Sequence, residues 1–215
     1  MRVVRITVGA LETNCWVVSD ALGGPSVVID PGDDAPEILR ELGSGACAAV
    51  ILTHAHFDHV GAVAQVLAAV DAPLLIHSSD ADRLTHDAPH GTGGAAFGFA
   101  GVTAPAADRL LEDGDTIEAG ALELRVLHTP GHTQGGICLF VEDPEGGAAH
   151  LFSGDTLFAG SVGRTDFPGG DSRALASSIA SQLTAFEPQT IVHPGHGPDT
   201  TIGREQRINP FWPRA

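Results

Sequence analysis

Residues 53–61 read THAHFDHVG, which places His54, His56, Asp58 and His59 within six positions, directly after the apolar run AAVILT. Two further segments repeat the association: VLHTPGHTQGG carries His128 and His132, and IVHPGHGPDT carries His193 and His196. A single histidine in a soluble domain is ordinarily a surface or hydrogen-bonded core residue, and His77, His86, His90 and His150 are read that way. The clusters differ, because each follows an apolar run and sits beside glycine or proline. A strand end feeding a tight turn fixes a side chain while leaving one side open, as a metal site with substrate access requires. Two residues apart on a turning backbone, His54 and His56 can point the same way, whereas Asp58 and His59 swing toward a neighbouring point as a helix begins near Val60. One segment can therefore feed two metals. FSGDTLF at 152–158 offers a second carboxylate, Asp155, able to bridge two ions. Imidazole and carboxylate suit zinc, iron or manganese, whereas a structural zinc site favours thiolates, and Cys15, Cys47 and Cys138 lie elsewhere. The site reads as catalytic.

Two ions about 3.5–4 Å apart lower the pKa of a shared water, so hydroxide is available at neutral pH without a serine or cysteine nucleophile. One ion polarises a carbonyl and stabilises the oxyanion that follows. A thiolate, whose parent thiol has a pKa of about 8.5, departs without prior protonation, and an amide nitrogen does not. Such a centre suits thioesters first, then lactones and activated esters. Asp58 is placed to steer the hydroxide proton.

The elements that must hold these residues are mostly strands. β-Branched or alternating runs recur at VVRITV, CWVVS, SVVID, AAVILT, PLLIH, LELRVLH, GICLFV and AHLFSGD. Helical spacing is confined to Asp34–Leu42, Val60–Val70 and Asp171–Phe186, the last with Asp171 or Ser172 as its cap, and a further helix after Asp199 or Thr200 carries Arg204 and Arg207 beside the site. Strands followed by a helix, then repeated, predict two packed sheets with helices outside. HGTGGAAFGFAG at 90–101 reads as a mobile loop. Phe211 and Trp212 read as closing the core.

Composition excludes several classes. With 215 residues, a hydrophobic fraction of 43% and no apolar run of membrane length, the chain is read as a soluble protein. The N-terminus lacks a signal-peptide pattern and the three cysteines lack CxxC spacing, so the expected location is cytoplasmic and the thiols are expected buried and reduced. A net charge of −16, with arginine as the only strongly basic residue type, disfavours nucleic acid. The expected partner is a small-molecule substrate.

Taken in order along the chain, THAHFDH, TPGHT, SGDTLF and PGHGP resemble the metallo-β-lactamase superfamily, and within it the short glyoxalase II-like hydrolases. That resemblance implies an α/β fold, a four-layer αββα sandwich of two mixed sheets, as a single domain over residues 1–215 without the C-terminal helical domain of larger glyoxalase II enzymes. It implies two divalent metal ions, zinc first and iron or manganese as alternatives, with His54, His56 and His132 on one, Asp58, His59 and His196 on the other, and Asp155 bridging. His128 and His193 match no ligand position. By the same resemblance, Arg164, in GSVGRTDFPGGD, binds a carboxylate of the thiol carrier; the competing reading is an ion pair with Asp166 or Asp171. The expected activity is a thioesterase acting on hydroxyacyl conjugates of a small thiol through a metal-bridging hydroxide. The absence of tyrosine and of the helical domain leaves that thiol open between glutathione, mycothiol and others. The alternative is a persulfide dioxygenase, similar in THxHxDH and GRTDF, which uses one iron held by His54, His132 and Asp155. An exported β-lactamase is disfavoured by the missing signal peptide, and a nuclease by the acidic surface.

Overall fold

The apolar runs become strands, of which the central ones, such as CWVVS, SVVI and LLIH, are buried on both faces, while VVRITV and LELRVLH keep one face at least partly exposed. The structure is a computed structural model and describes residues 1–20, 23–86 and 91–214. The first half contains β1 (Arg2–Val8), β2 (Thr13–Ser19), β3 (Ser26–Ile29), α1 (Ala35–Leu42), β4 (Cys47–Ile51), α2 (Phe57–Val60), α3 (Val63–Ala69), β5 (Leu74–His77), α4 (Ser78–Ala81) and β6 (Arg109–Leu111). The second contains β7 (Thr116–Ala119), β8 (Leu122–His128), β9 (Ile137–Val141), β10 (His150–Gly154), β11 (Leu157–Phe158), β12 (Ser161–Val162), α5 (Ser172–Ser178), β13 (Ile191–Pro194), β14 (Thr200–Thr201) and α6 (Ile202–Ile208). One sheet has the order β1-β2-β3-β4-β5-β6, the other β14-β13-β10-β9-β8-β7, and β11 and β12 form a separate hairpin. Both large sheets mix parallel and antiparallel pairs.

β2 shows how the layers arise. Its Cys15 and Val17 face a cluster with Ile38 of α1 and Val63 and Val66 of α3, while Trp16 and Val18 face Leu124, Leu139 and Phe152 of the opposite sheet. On the far side, Cys138, Leu151 and Val192 pack against Leu175, Ile179 and Leu183, and against Ile202 of α6. The result is the expected αββα sandwich. Cys15 and Cys138 are buried, Cys47 is half-buried, and all three are free thiols. Among the described residues, no helix is long and apolar enough to cross a membrane.

Several details depart from the sequence reading. The helix expected over Val60–Val70 starts earlier, at Phe57, and breaks at Gly61 and Ala62, because the chain there packs onto Pro31 and Gly32: Ala62 N donates to Pro31 O at 3.0 Å, and a Cβ on Gly61 would strike Gly32 O. The helix from Asp171 ends at Leu183, with α5 passing into a π-helical turn over Ile179–Leu183, and Asp171 caps it by accepting from Arg173 N and Ala174 N. Asp34 takes a left-handed φ of 52° and makes no side-chain cap for α1. His90, the first residue of the Gly/Ala-rich stretch, lies outside the described residues. From Gly91 on, that stretch is not a bare loop: it carries a 3-10 turn over Gly94–Phe97 and lays Phe97 and Phe99 on Phe57. Trp212 closes the outer core as expected, but Phe211 is 56% exposed.

Candidate metal centre

The histidine segments converge at one edge of the two sheets, where the strands that precede them end. Backbone bonds tie the sheets together there: Ile137 N donates to Thr53 O at 2.9 Å, and Asn14 N donates to Gly195 O at 2.7 Å. The Asn14 amide adds bonds to Pro194 O and Gly197 O, at 3.0 and 2.9 Å. Loops held from both sides in this way keep their side chains in register with one another.

Three triads form. One ligand atom each from His54, His56 and His132 lies within 4.8 Å of the others, and the same holds for His54, His59 and Asp155, and for Asp58, His59 and His196. All seven residues singled out for metal binding are thus brought together, with Asp155 between the two outer groups: its Oδ1 is 3.4 Å from His59 Nε2, and its Oδ2 is 3.5 Å from His132 Nε2 and 3.7 Å from His196 Nε2.

Each imidazole is oriented through its other nitrogen. His132 Nδ1 donates to Arg164 O at 2.7 Å, and His196 Nδ1 donates to Leu11 O at 3.1 Å. His59 Nδ1 bonds Asp30 Oδ2 at 2.9 Å. Thr53 Oγ1 donates to Asp30 Oδ2 at 2.6 Å, so it accepts from His54 Nδ1 at 3.1 Å, which leaves His54 Nε2 bare. Such outer partners fix the tautomer and aim the ligating nitrogen. His56 is the exception: its Nδ1 faces His132 Nε2 directly, at 2.8 Å.

The residues fit divalent metal ions on their own geometry. His54 Nε2, His59 Nε2 and Asp155 Oδ1 are buried with no hydrogen-bond partner, a costly state for polar atoms unless a ligand satisfies them. Gly195 lets its loop close over the centre, since a Cβ there would collide with Asp155 Oδ1. The electrostatics agree. Burial pushes His54 well below the ordinary histidine value, reinforced by His59, and burial with His132 beside it takes His56 to about 3, so both are neutral donors. Burial would also lower His59, yet Asp30, Asp58 and Asp155 together hold it up, and that excess negative charge is what a bound cation would satisfy. Burial pushes Asp58 and Asp155 up, but the His59 charge and neighbouring imidazoles outweigh it, leaving Asp58 at about 2 and Asp155 lower still.

A cavity of about 680 Å³ opens over the centre, with Asp58, Asp155 and His196 on its floor and Leu11, Phe97, Phe158 and Phe167 in its walls. Arg164 lines it too, but its guanidinium is paired at two points with Asp166. The ion pair weighed against substrate binding is therefore formed, and formed with Asp166. α6 supports the cavity rather than lining it: its buried Glu205 accepts from Gly160 N at 2.7 Å, at the tip of the β11–β12 hairpin that carries Phe158 and Ser161. His128 and His193 stay outside the centre. His128 stacks on His77 at 3.9 Å, and His193 packs between Trp16 and Phe152.

Asp30 is the residue that sequence reading missed. Buried to 1% exposure at a left-handed φ of 53°, it accepts from Thr53 N, Thr53 Oγ1 and His59 Nδ1. The available signal was an aspartate ending an apolar run before Pro-Gly, in SVVIDPG.

Comparison with known proteins follows the same outline. The profile of the metallo-beta-lactamase superfamily matches residues 8–196. The chain is 36% identical to the probable metallo-hydrolase YqgX of Bacillus subtilis, over 96% of this chain and 95% of that one. It is 34% identical to the hydroxyacylglutathione hydrolase GloC of Haemophilus influenzae, over 98% of each. Among solved structures, it resembles TTHA1623 in a di-iron-bound form, with TM-score 0.82, 40% identity and coverage of 97% and 99% of the two chains. The BLEG-1 B3 metallo-beta-lactamase gives TM-score 0.89 and 36% identity over 98% and 99%.

Proposed function

The chain belongs to the metallo-beta-lactamase superfamily and is a metal-dependent hydrolase, and from that premise we propose that it is a glyoxalase II-like thioesterase that cleaves acyl conjugates of a small thiol. The observation that carries the reading is the pair of outer triads joined by Asp155, with buried ligand atoms that no protein group satisfies. His54, His56 and His132 would hold one divalent ion and Asp58, His59 and His196 a second, with Asp155 shared. When bound, such ions supply an activated water at neutral pH and a Lewis acid for the substrate carbonyl.

The chain's own residues do the rest. Asp30, Thr53, Leu11 and Arg164 hold the imidazoles in the tautomer and orientation that the centre needs. Thr13 Oγ1 donates to Asp58 Oδ2 at 3.1 Å and fixes that carboxylate toward the cavity. Leu11, Phe97, Phe158 and Phe167 exclude water from the substrate's flank and offer aromatic surface to it. The preference for a thioester comes from the leaving group. Asp58 and Asp155 are both held ionised, as metal ligands must be, and a thiolate leaves without a proton whereas a departing amide nitrogen requires one. The name of GloC agrees with hydrolysis of this kind, and that of YqgX with metal-dependent hydrolysis in general. The name of BLEG-1 is the specific ground for a second reading, lactam hydrolysis, which belongs in the same assay.

The test is metal analysis of freshly purified protein together with a panel of S-lactoylglutathione, simpler acyl thioesters and a penicillin. The expected result is about two metal ions per chain, turnover of thioesters well above the lactam, and loss of both metal and activity in Asp155→Ala. Full metal content in Asp155→Ala would remove Asp155 from its shared position. One iron per chain, with oxygen consumed on glutathione persulfide, would replace the hydrolase by the dioxygenase.

A further inference from the structure

Arg164 reaches the cavity wall, yet the edge of its guanidinium is already occupied. Nε donates to Asp166 Oδ1 at 2.7 Å and Nη2 to Asp166 Oδ2 at 2.8 Å, the two-point geometry that a guanidinium offers a carboxylate. The guanidinium carbon also lies 3.6 Å from the centre of the Phe167 ring. The backbone of Arg164 is fixed as well, because its carbonyl receives His132 Nδ1, so the side chain springs from a residue bonded directly to the centre. Arg164 and Phe167 line the cavity and Asp166 does not. Asp166 thus approaches from the solvent side, where its side chain is 68% exposed.

A carboxylate on a substrate arm, entering from the cavity, meets a cation whose fork holds another carboxylate. We propose that Asp166 is a specificity-determining residue: a tethered competitor for the Arg164 fork, which turns the cavity away from anionic substrate arms and toward uncharged ones that lie on Phe167 and Phe97. Being two residues from Arg164, Asp166 competes at a high effective concentration that a free ligand must match. The pair is exposed and can exchange, which bounds the effect at roughly two- to fivefold in affinity. The kinetic consequence rests on the thioesterase reading; the binding consequence does not.

The test uses the full chain with its metal, as Asp166→Ala, Arg164→Ala and the double variant, each checked by thermal melt. Calorimetry compares glutathione, which carries two carboxylates, with N-acetylcysteamine, a neutral thiol; the ratio of the two affinities cancels the shared thiol. In Asp166→Ala the ratio should shift toward glutathione by about two- to fivefold, and the shift should vanish in the double variant. The KM ratio for lactoyl thioesters of the same two thiols should move in parallel. An unmoved or reversed affinity ratio, a shift that persists without Arg164, or no glutathione binding by any variant would overturn the proposal. A binding ratio that shifts as expected, with no thioester turned over, would leave Asp166 in its role and remove only the thioesterase reading.

Discussion

Asp30 ligates nothing in the arrangement proposed here, yet the geometry of the centre depends on it. Its two oxygens receive Thr53 N at 2.7 Å, Thr53 Oγ1 at 2.6 Å and His59 Nδ1 at 2.9 Å, so one buried carboxylate orients His59 directly and His54 through the threonine. Asp30→Asn keeps the size but replaces an acceptor by an NH2, which must face a donor already pointing at it. Metal affinity should fall about 10–100-fold, the usual cost of removing an outer partner of a metal ligand. Competition with a chromogenic chelator measures this, and wild-type affinity in the variant would sink the role. The contrast with the ligands explains what a sequence discloses at this scale. His54, His56 and Asp58 are legible because ligand types crowd onto a Gly-bounded turn, which no packing need accounts for. Asp30 before Pro-Gly reads as ordinary turn chemistry, and its function exists only once β3 lies beside β4. His193 shows the reverse: it shares a motif with His196, but its ring is used for packing against Trp16 and Phe152.

At the scale of elements, the loops hold the centre by close approach, and α4 is the brace between two of them. Asp80, fully buried on that four-residue helix, accepts from Ala55 N at 3.2 Å in the HxHxDH turn and from Gly135 N at 2.8 Å in the loop after His132. A Cβ on Gly135 would come to 2.6 Å from Asp80 N and 2.7 Å from its Cβ, and neither can step aside without moving the helix. Gly135→Ala should therefore cost about 1–3 kcal/mol, as overpacking of a rigid contact does. Gly45→Ala, whose new methyl would meet only Leu42 O at 3.6 Å, should stay within about 0.5 kcal/mol. Urea melts of the two variants decide, and equal midpoints would show that the brace yields. α4 was not legible in advance, because four residues carry no period. Long apolar runs such as LELRVLH declared themselves as β8, whereas β11, β12 and β14, two residues each, are defined by their partners rather than by their own side chains. The sequence pattern places the helix after Asp58 too late for a related reason: hydrophobic spacing begins at Val60, but the turn at Phe57 is anchored by Phe57 N, which donates to Thr92 O at 3.0 Å, a contact distant in sequence.

For the molecule as a whole, the apolar runs made the layers readable, but not how the chain is shared between them. β13 pairs in parallel with β10 across some forty residues, and no local pattern encodes that. Where β10 and β13 face the first sheet, His193 makes the contact: its ring is 4.7 Å from Trp16 of β2, and its Nε2 lies 2.8 Å from Nδ1 of His150 on the neighbouring strand. Burial, with His193 next to it, lowers His150 from the ordinary value to about 4; Asp143 and Asp199 nearby oppose the shift, and the Met1 amine adds to it. The folded state thus resists a proton that the unfolded chain accepts near pH 6.5, so this contribution is intact above about pH 6.5 and is lost as the pH falls toward 4. Loss of the Asp199 carboxylate, which burial pushes up but His193 pulls below its ordinary value, belongs to more acidic solution. His150→Gln keeps a hydrogen-bonding side chain and removes the titration. Its melting temperature should consequently decline less between pH 7 and pH 5 than that of the parent chain, by roughly 2–4 °C for each kcal/mol of linkage removed. Parallel declines in the two proteins would show that the acid sensitivity of the sandwich arises elsewhere than at this seam.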